Sequence, residues 1–142
     1  MRCIRIAIAT LLLVVPLAAC SGIEDRDQVV GIWTADPIGR SAPGLSFEAD
    51  GTFAATDVPL AAFAYYGADG NDGPTDSPLI SFSGTWKLDA PDKVDILIPA
   101  GVVGTDGYLT YLFASGTGEE LHLVAVFTSG DVDQRLVFTR DG

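Results

Sequence analysis

Ile80-Ser81-Phe82-Ser83-Gly84-Thr85-Trp86-Lys87-Leu88 is the stretch that decides the fold. Ile80, Phe82, Gly84, Trp86 and Leu88 share one parity, and Ser81, Ser83, Thr85 and Lys87 share the other. Successive side chains on a strand point to opposite faces, so a period of two marks a strand with one buried and one wet face. A helix would need its apolar positions three and four apart, and here they are not.

The same period recurs on both sides of this segment. Upstream, Leu45 and Phe47 alternate with Ser46 and Glu48, and the pair Asp50-Gly51 leads into Thr52-Phe53-Ala54-Ala55-Thr56. An Asp-Gly pair between two such runs signals a hairpin, because both turn positions want positive φ. Downstream come Val94, Ile96 and Ile98, then Leu109, Tyr111 and Phe113, then Leu121, Leu123, Ala125 and Phe127. A turn at Ser129-Gly130-Asp131 leads to Leu136 and Phe138. With an opening strand around Val29 to Thr34 this makes about eight short strands joined mostly by tight turns. The expectation is an all-β fold, an antiparallel up-and-down barrel rather than a Greek-key sandwich, since closure removes exposed edges.

An eight-stranded barrel is just wide enough to fill itself with side chains or to hold one small ligand. Phe47, Phe53, Phe82, Trp86, Tyr111, Phe113, Phe127 and Phe138 would make it solid if all of them point inward. Filled core and usable cavity are both open at this level.

The N-terminus has a different character. Arg2 and Arg5 precede and flank an apolar run from Ile6 to Val15 that Pro16 interrupts. A membrane-spanning helix needs roughly 20 apolar residues, so this run is too short and reads as a secretory signal. Leu17-Ala18-Ala19-Cys20 follows, and here the chain resembles the lipobox of bacterial lipoproteins. That resemblance implies cleavage after Ala19, a diacylglyceryl thioether on Cys20 with further acylation such as palmitate on its amine, and a lipid-anchored protein on the extracytoplasmic face of the cell membrane. The expected organisation is a signal peptide over 1–19, the lipidated cysteine and a short tether over 20–27, and the barrel domain over 28–142.

Removal of residues 1–19 takes Arg2, Arg5 and Cys3 with it, leaving six basic against nineteen acidic residues, a net charge of −13, and one cysteine. Such a surface excludes nucleic acid as a partner, and a lone cysteine excludes an internal disulfide. It also predicts that the domain body stands off an anionic bilayer.

Gly31-Ile32-Trp33, Leu45-Ser46-Phe47, Asp50-Gly51-Thr52-Phe53, Gly84-Thr85-Trp86-Lys87-Leu88 and the closing Phe138-Thr139-Arg140 occur in that order and cover most of the domain. In this the chain resembles the small lipocalin-like lipoproteins of bacteria. The resemblance implies that Trp33 closes one end of the barrel with an arginine of the last strand packed over it, Arg140 or in its place Arg135. These roles are structural.

The segment from Asp57 to Pro78 is the unusual one, an apolar half through Tyr66 followed by a Gly/Asp-rich half. Loops of this length are often functional. It reads either as a lid offering Phe63, Tyr65 and Tyr66 to an apolar ligand or a partner, or as a short helix or wide hairpin that plugs the open end. Asp69, Asn71, Asp72 and Asp76 fail the EF-hand spacing, because Gly73 stands where a third ligand belongs and no glutamate closes the loop. They read as a solvated turn.

Chemistry finds little purchase. The mature chain has one histidine, His122, no nucleophile elbow and no paired-carboxylate pattern, so no enzyme, metal or cofactor is expected. Two functions remain: a module holding a small hydrophobic ligand in the barrel, and an envelope protein-interaction module with a filled barrel.

Overall fold

The computed structural model describes residues 22–63, 77–129 and 132–142. Eight antiparallel strands close on themselves in sequence order: β1 Gly31–Ala35, β2 Gly44–Phe47, β3 Thr52–Pro59, β4 Leu79–Ala90, β5 Lys93–Ile98, β6 Tyr108–Ser115, β7 His122–Ser129 and β8 Val132–Arg140. This is an up-and-down barrel, compatible with the lipocalin-like resemblance. The seam pairs Trp33 with Arg140 and Ala35 with Phe138.

The predicted hairpin between β2 and β3 is present, with Phe47 opposite Phe53. Gly51 takes φ 92° at the turn, where a side chain would be strained, and its carbonyl accepts from the Trp86 amide. β3 continues past the expected end at Thr56. Asp57, at φ 50°, is the extra residue of a bulge against β4, and Val58 and Pro59 resume the pairing. The long segment that the sequence opens at Asp57 therefore starts three residues later.

β4 has the alternation that its sequence dictates, with Phe82 and Trp86 buried and Ser81, Ser83, Thr85 and Lys87 exposed. A Cβ on Gly84 would run into the Leu97 carbonyl, so glycine is what lets β4 and β5 approach there.

β6 is the correction. Leu109, Tyr111 and Phe113 were expected on the core face, yet they are 57%, 47% and 38% exposed, and Leu112 on the other parity is fully buried. The reason is volume. β2, β3 and β4 send Phe47, Phe53, Phe82 and Trp86 inward, so past Tyr108, which packs on the core at the start of β6, the facing wall takes the smaller Thr110, Leu112 and Ala114.

The chain is also docked earlier than a tether over Ser21 to Asp27 would be. The Gly22 amide donates to the Gly116 carbonyl at 3.1 Å, and the Ile23 amide to the Pro91 carbonyl at 2.6 Å. Ile23 is buried, and Asp25 opens a capped 3₁₀ turn, Arg26–Gln28, whose Gln28 Oε1 accepts from the Glu24 and Asp25 amides. An apolar side chain at Ile23 with two backbone bonds beside it makes this segment part of the domain.

Candidate functional site

Inside the barrel the aromatic side chains form a continuous column. Trp86 meets Phe47 edge-on at 5.4 Å between centroids, Phe47 meets Phe53 at 5.0 Å, Phe53 meets Phe82 at 5.8 Å, and Phe82 meets Phe63 at 5.7 Å. Such tilted and edge-on pairs are worth about 0.5–1.5 kcal/mol each beyond the area they bury.

The column runs between the two ends of the barrel. At the entry end, where the chain comes in, Val29 and Ile23 are buried and the Trp33 indole donates to the Val29 carbonyl at 2.8 Å. At the far end, the 3₁₀ turn Leu60–Ala62 carries Phe63 into the interior, 1% exposed. The Leu60 amide donates to the Pro78 carbonyl and the Ala61 amide to the Ser77 hydroxyl, which pins the turn across the strand ends. Of the three aromatics proposed for a lid, Phe63 is thus a plug; Tyr65 and Tyr66 lie outside the described residues, as do Asp69 to Asp76 and Cys20.

Trp33 is wholly buried, and Arg140 stands opposite it across the seam. The Arg140 guanidinium donates to the Val30 carbonyl at 2.7 Å. A guanidinium does lie over a tryptophan face at this end, but it is that of Arg26, 4.5 Å from the Trp86 centroid while its Nη1 donates to the Ala49 carbonyl. Arg135 is exposed opposite Val126, on the outward parity of β8. His122 sits on β7 between Ser115 and Thr139, with its Nδ1 shielded from solvent and without a hydrogen-bond partner. Among the described residues no group of His, Cys, Asp and Glu side chains is placed to hold a metal ion.

The feature that the sequence reading missed is on the outside. β5 to β8 present Leu97, Leu109, Tyr111, Phe113, Val126 and Val137 to solvent around the buried Val124, whereas Ile32 on β1 and Leu79 on β4 are exposed singly. The strand register makes them neighbours: Leu97 is opposite Leu109, and Phe113, Val124 and Val137 form one cross-strand row. The rings of Tyr111 and Phe113 meet edge-on at 5.1 Å. Fully burying a side chain of this size is worth about 1.5–3 kcal/mol, so several half-exposed ones together forgo several kcal/mol until something covers them.

A compact charge cluster borders this face. Lys93 Nζ lies 2.9 Å from Asp89 and 3.5 Å from Asp95, Lys87 lies 3.6 Å from Asp95, and Lys93 also stands 5.5 Å from the Tyr111 ring centroid. The hydrogen bond from Lys93 holds the Asp89 carboxyl below the usual carboxylate range, and that same bond raises the Lys93 ammonium above its ordinary value. Asp95 is 5% exposed, and the two lysines are what compensate its burial.

Compared with protein-family models, with curated proteins and with solved structures, the chain matches none. Its reading therefore rests on the two surfaces just described. A sequence signal for the outer one exists in hindsight: Leu121-His122-Leu123-Val124-Ala125-Val126-Phe127 is apolar on both parities, which marks a strand covered on both faces.

Proposed function

We propose that this chain is exported, loses residues 1–19 and is held on the extracytoplasmic face of the cell membrane by lipid on Cys20. Its barrel then works by surface contact in the envelope, with neither an enzymatic site nor a ligand chamber. The lipid anchor is supported by Leu17-Ala18-Ala19-Cys20 after a short apolar run. Contact rather than storage is supported by one pairing of observations: aromatic side chains occupy the axis from Trp86 to Phe63, while most of the large apolar side chains left exposed are gathered on the outer face of β5 to β8.

Two measurements test the two parts. Metabolic labelling with an alkyne fatty acid should mark the full chain expressed in bacteria and leave the Cys20→Ala variant dark; equal labelling, or none, removes the anchor. Native mass spectrometry of the mature chain incubated with a bacterial lipid extract should show the bare protein mass. A discrete adduct that persists in the wild type and weakens on replacing Phe63 would instead establish the small-hydrophobic-ligand reading.

A further inference from the structure

The place where the chain enters the barrel says what covers the apolar face. Building on the lipid anchor proposed above, we infer that the outer face of β5 to β8 seats on the lipid bilayer that holds Cys20, so that the barrel lies on its side at the interface.

Gly22 is tied to Gly116, in the connection from β6 to β7, and Ile23 to Pro91, in the turn from β4 to β5. Both attachment points are on the flank that carries the apolar strands. Cys20 precedes Gly22 by two residues, and two residues of extended chain reach roughly 7 Å. Phe113 is three residues before Gly116 on β6, a distance of about 10 Å along a strand. Acyl chains entering the bilayer from Cys20 therefore do so within roughly 20 Å of Phe113, and from Gly22 onward the chain is already held to the barrel.

Charge selects the same posture. Glu24, Asp25, Asp27, Glu48, Asp50 and Asp141 are exposed at the entry end, Glu48, Asp50 and Asp141 of them beside β1 to β3. Standing upright on that end would press these carboxylates against lipid phosphates. Tipping toward β5 to β8 lifts them away and brings down Leu97, Leu109, Tyr111 and Phe113, with Lys87 and Lys93 at the margin. Tyrosine and lysine are side chains that settle at the headgroup level, with apolar bodies below and polar tips above. Asp92, Glu119 and Glu120 stay at the rim of the contact, so a zwitterionic surface suits this face better than an anionic one. A second copy is disfavoured as occupant by the repulsion between two bodies of net charge −13.

The test couples the single thiol of the mature chain, Cys20, to a maleimide phospholipid in phosphatidylcholine vesicles, so that it does not depend on whether cells lipidate that residue. A reporter tryptophan is placed at Tyr111→Trp, and in a second protein at Thr56→Trp on the exposed face of β3, with the parent chain subtracting Trp33 and Trp86. An interfacial segment sinks about 5–10 Å to the acyl boundary. Brominated acyl chains should therefore shift the Tyr111→Trp emission to the blue and remove most of it, leaving Thr56→Trp unchanged. Exchanging phosphatidylcholine for phosphatidylglycerol at low salt should weaken that quenching. Equal response at both positions, or none at either, overturns the proposal. So does a Tyr111→Trp signal shielded from aqueous acrylamide yet untouched by bromine, which would assign the face to a second copy or another protein.

Discussion

The two halves of the barrel wall follow different rules. From β2 to β4 the strands are apolar inside and polar outside: Phe47, Phe53, Phe82 and Trp86 face the axis, while Ser46, Thr52, Ser81, Ser83 and Thr85 face out. From β5 to β8 the inward side chains of β5 and β6 are mostly smaller, and many of the outward ones, Leu97, Leu109, Tyr111, Phe113, Val126 and Val137, are apolar as well. The first half is finished by water, whereas the second is left with surface that water does not favour. A barrel needs only one apolar face per strand to fold, and the second apolar face is the surface that we propose for contact.

This contrast can be broken at its strongest point first. Phe47→Ala removes a ring that touches both Phe53 and Trp86, and should cost about 3–5 kcal/mol in denaturant unfolding. A loss under about 1 kcal/mol would mean that the polar-faced half is not the structural one. Next comes the brace across the entry end. Arg26→Ala gives up the Ala49 hydrogen bond and the contact with Trp86, and should lower stability by about 1–2 kcal/mol with the barrel intact by circular dichroism.

Smaller still is the effect of Phe113→Ser or Tyr111→Ser. If the outer face serves contact rather than folding, either change should alter the unfolding free energy by no more than about 0.5 kcal/mol, while vesicle seating of the coupled protein is lost. A large drop in stability would show the outer face to be structural. The finest test is a titration. The depressed Asp89 carboxyl favours the folded state above the carboxylate range, and this contribution disappears as the pH falls through its folded value. The raised Lys93 ammonium favours it below the lysine range, and this is lost as the pH rises through its folded value. The melting temperatures of wild type and Asp89→Asn should differ at neutral pH and converge in strong acid and in strong alkali. A gap independent of pH would remove the ion pair as its source.

Much of the architecture is legible in the sequence, because β4 alternates cleanly and Asp50-Gly51 marks its turn. β6 is where local pattern fails. Tyr108-Leu109-Thr110-Tyr111-Leu112-Phe113 is apolar on both parities, so nothing local says which face turns in. The decision comes from volume already taken by side chains of β2 to β4, which are distant in sequence. Trp33, expected to close one end of the barrel under Arg140 or Arg135, is buried opposite Arg140, and the arginine that reaches a tryptophan face is Arg26, in a segment that reads as a polar tether. Its partners, Ala49 and Trp86, lie far along the chain. The outer face was legible in principle from the unbroken apolar run of β7, which the expectation of one wet side per strand obscures.

The seam has a consequence for how the barrel assembles. Every other strand pairs with its neighbour in sequence, so most of the wall can zip from one hairpin to the next with short loops to close. The pairing of Trp33 with Arg140 joins the first strand to the last, and its closure entropy is that of nearly the whole domain, although this grows only with the logarithm of length. Until the last strand arrives, the sheet has two open edges that can recruit any extended chain nearby. Arg140, bonded to the Val30 carbonyl, and Asp141, accepting from the Thr34 hydroxyl and donating its amide to the Ile32 carbonyl, form a clasp on this joint. Truncation before Phe138 would leave a ribbon prone to aggregation in place of a slightly weaker barrel.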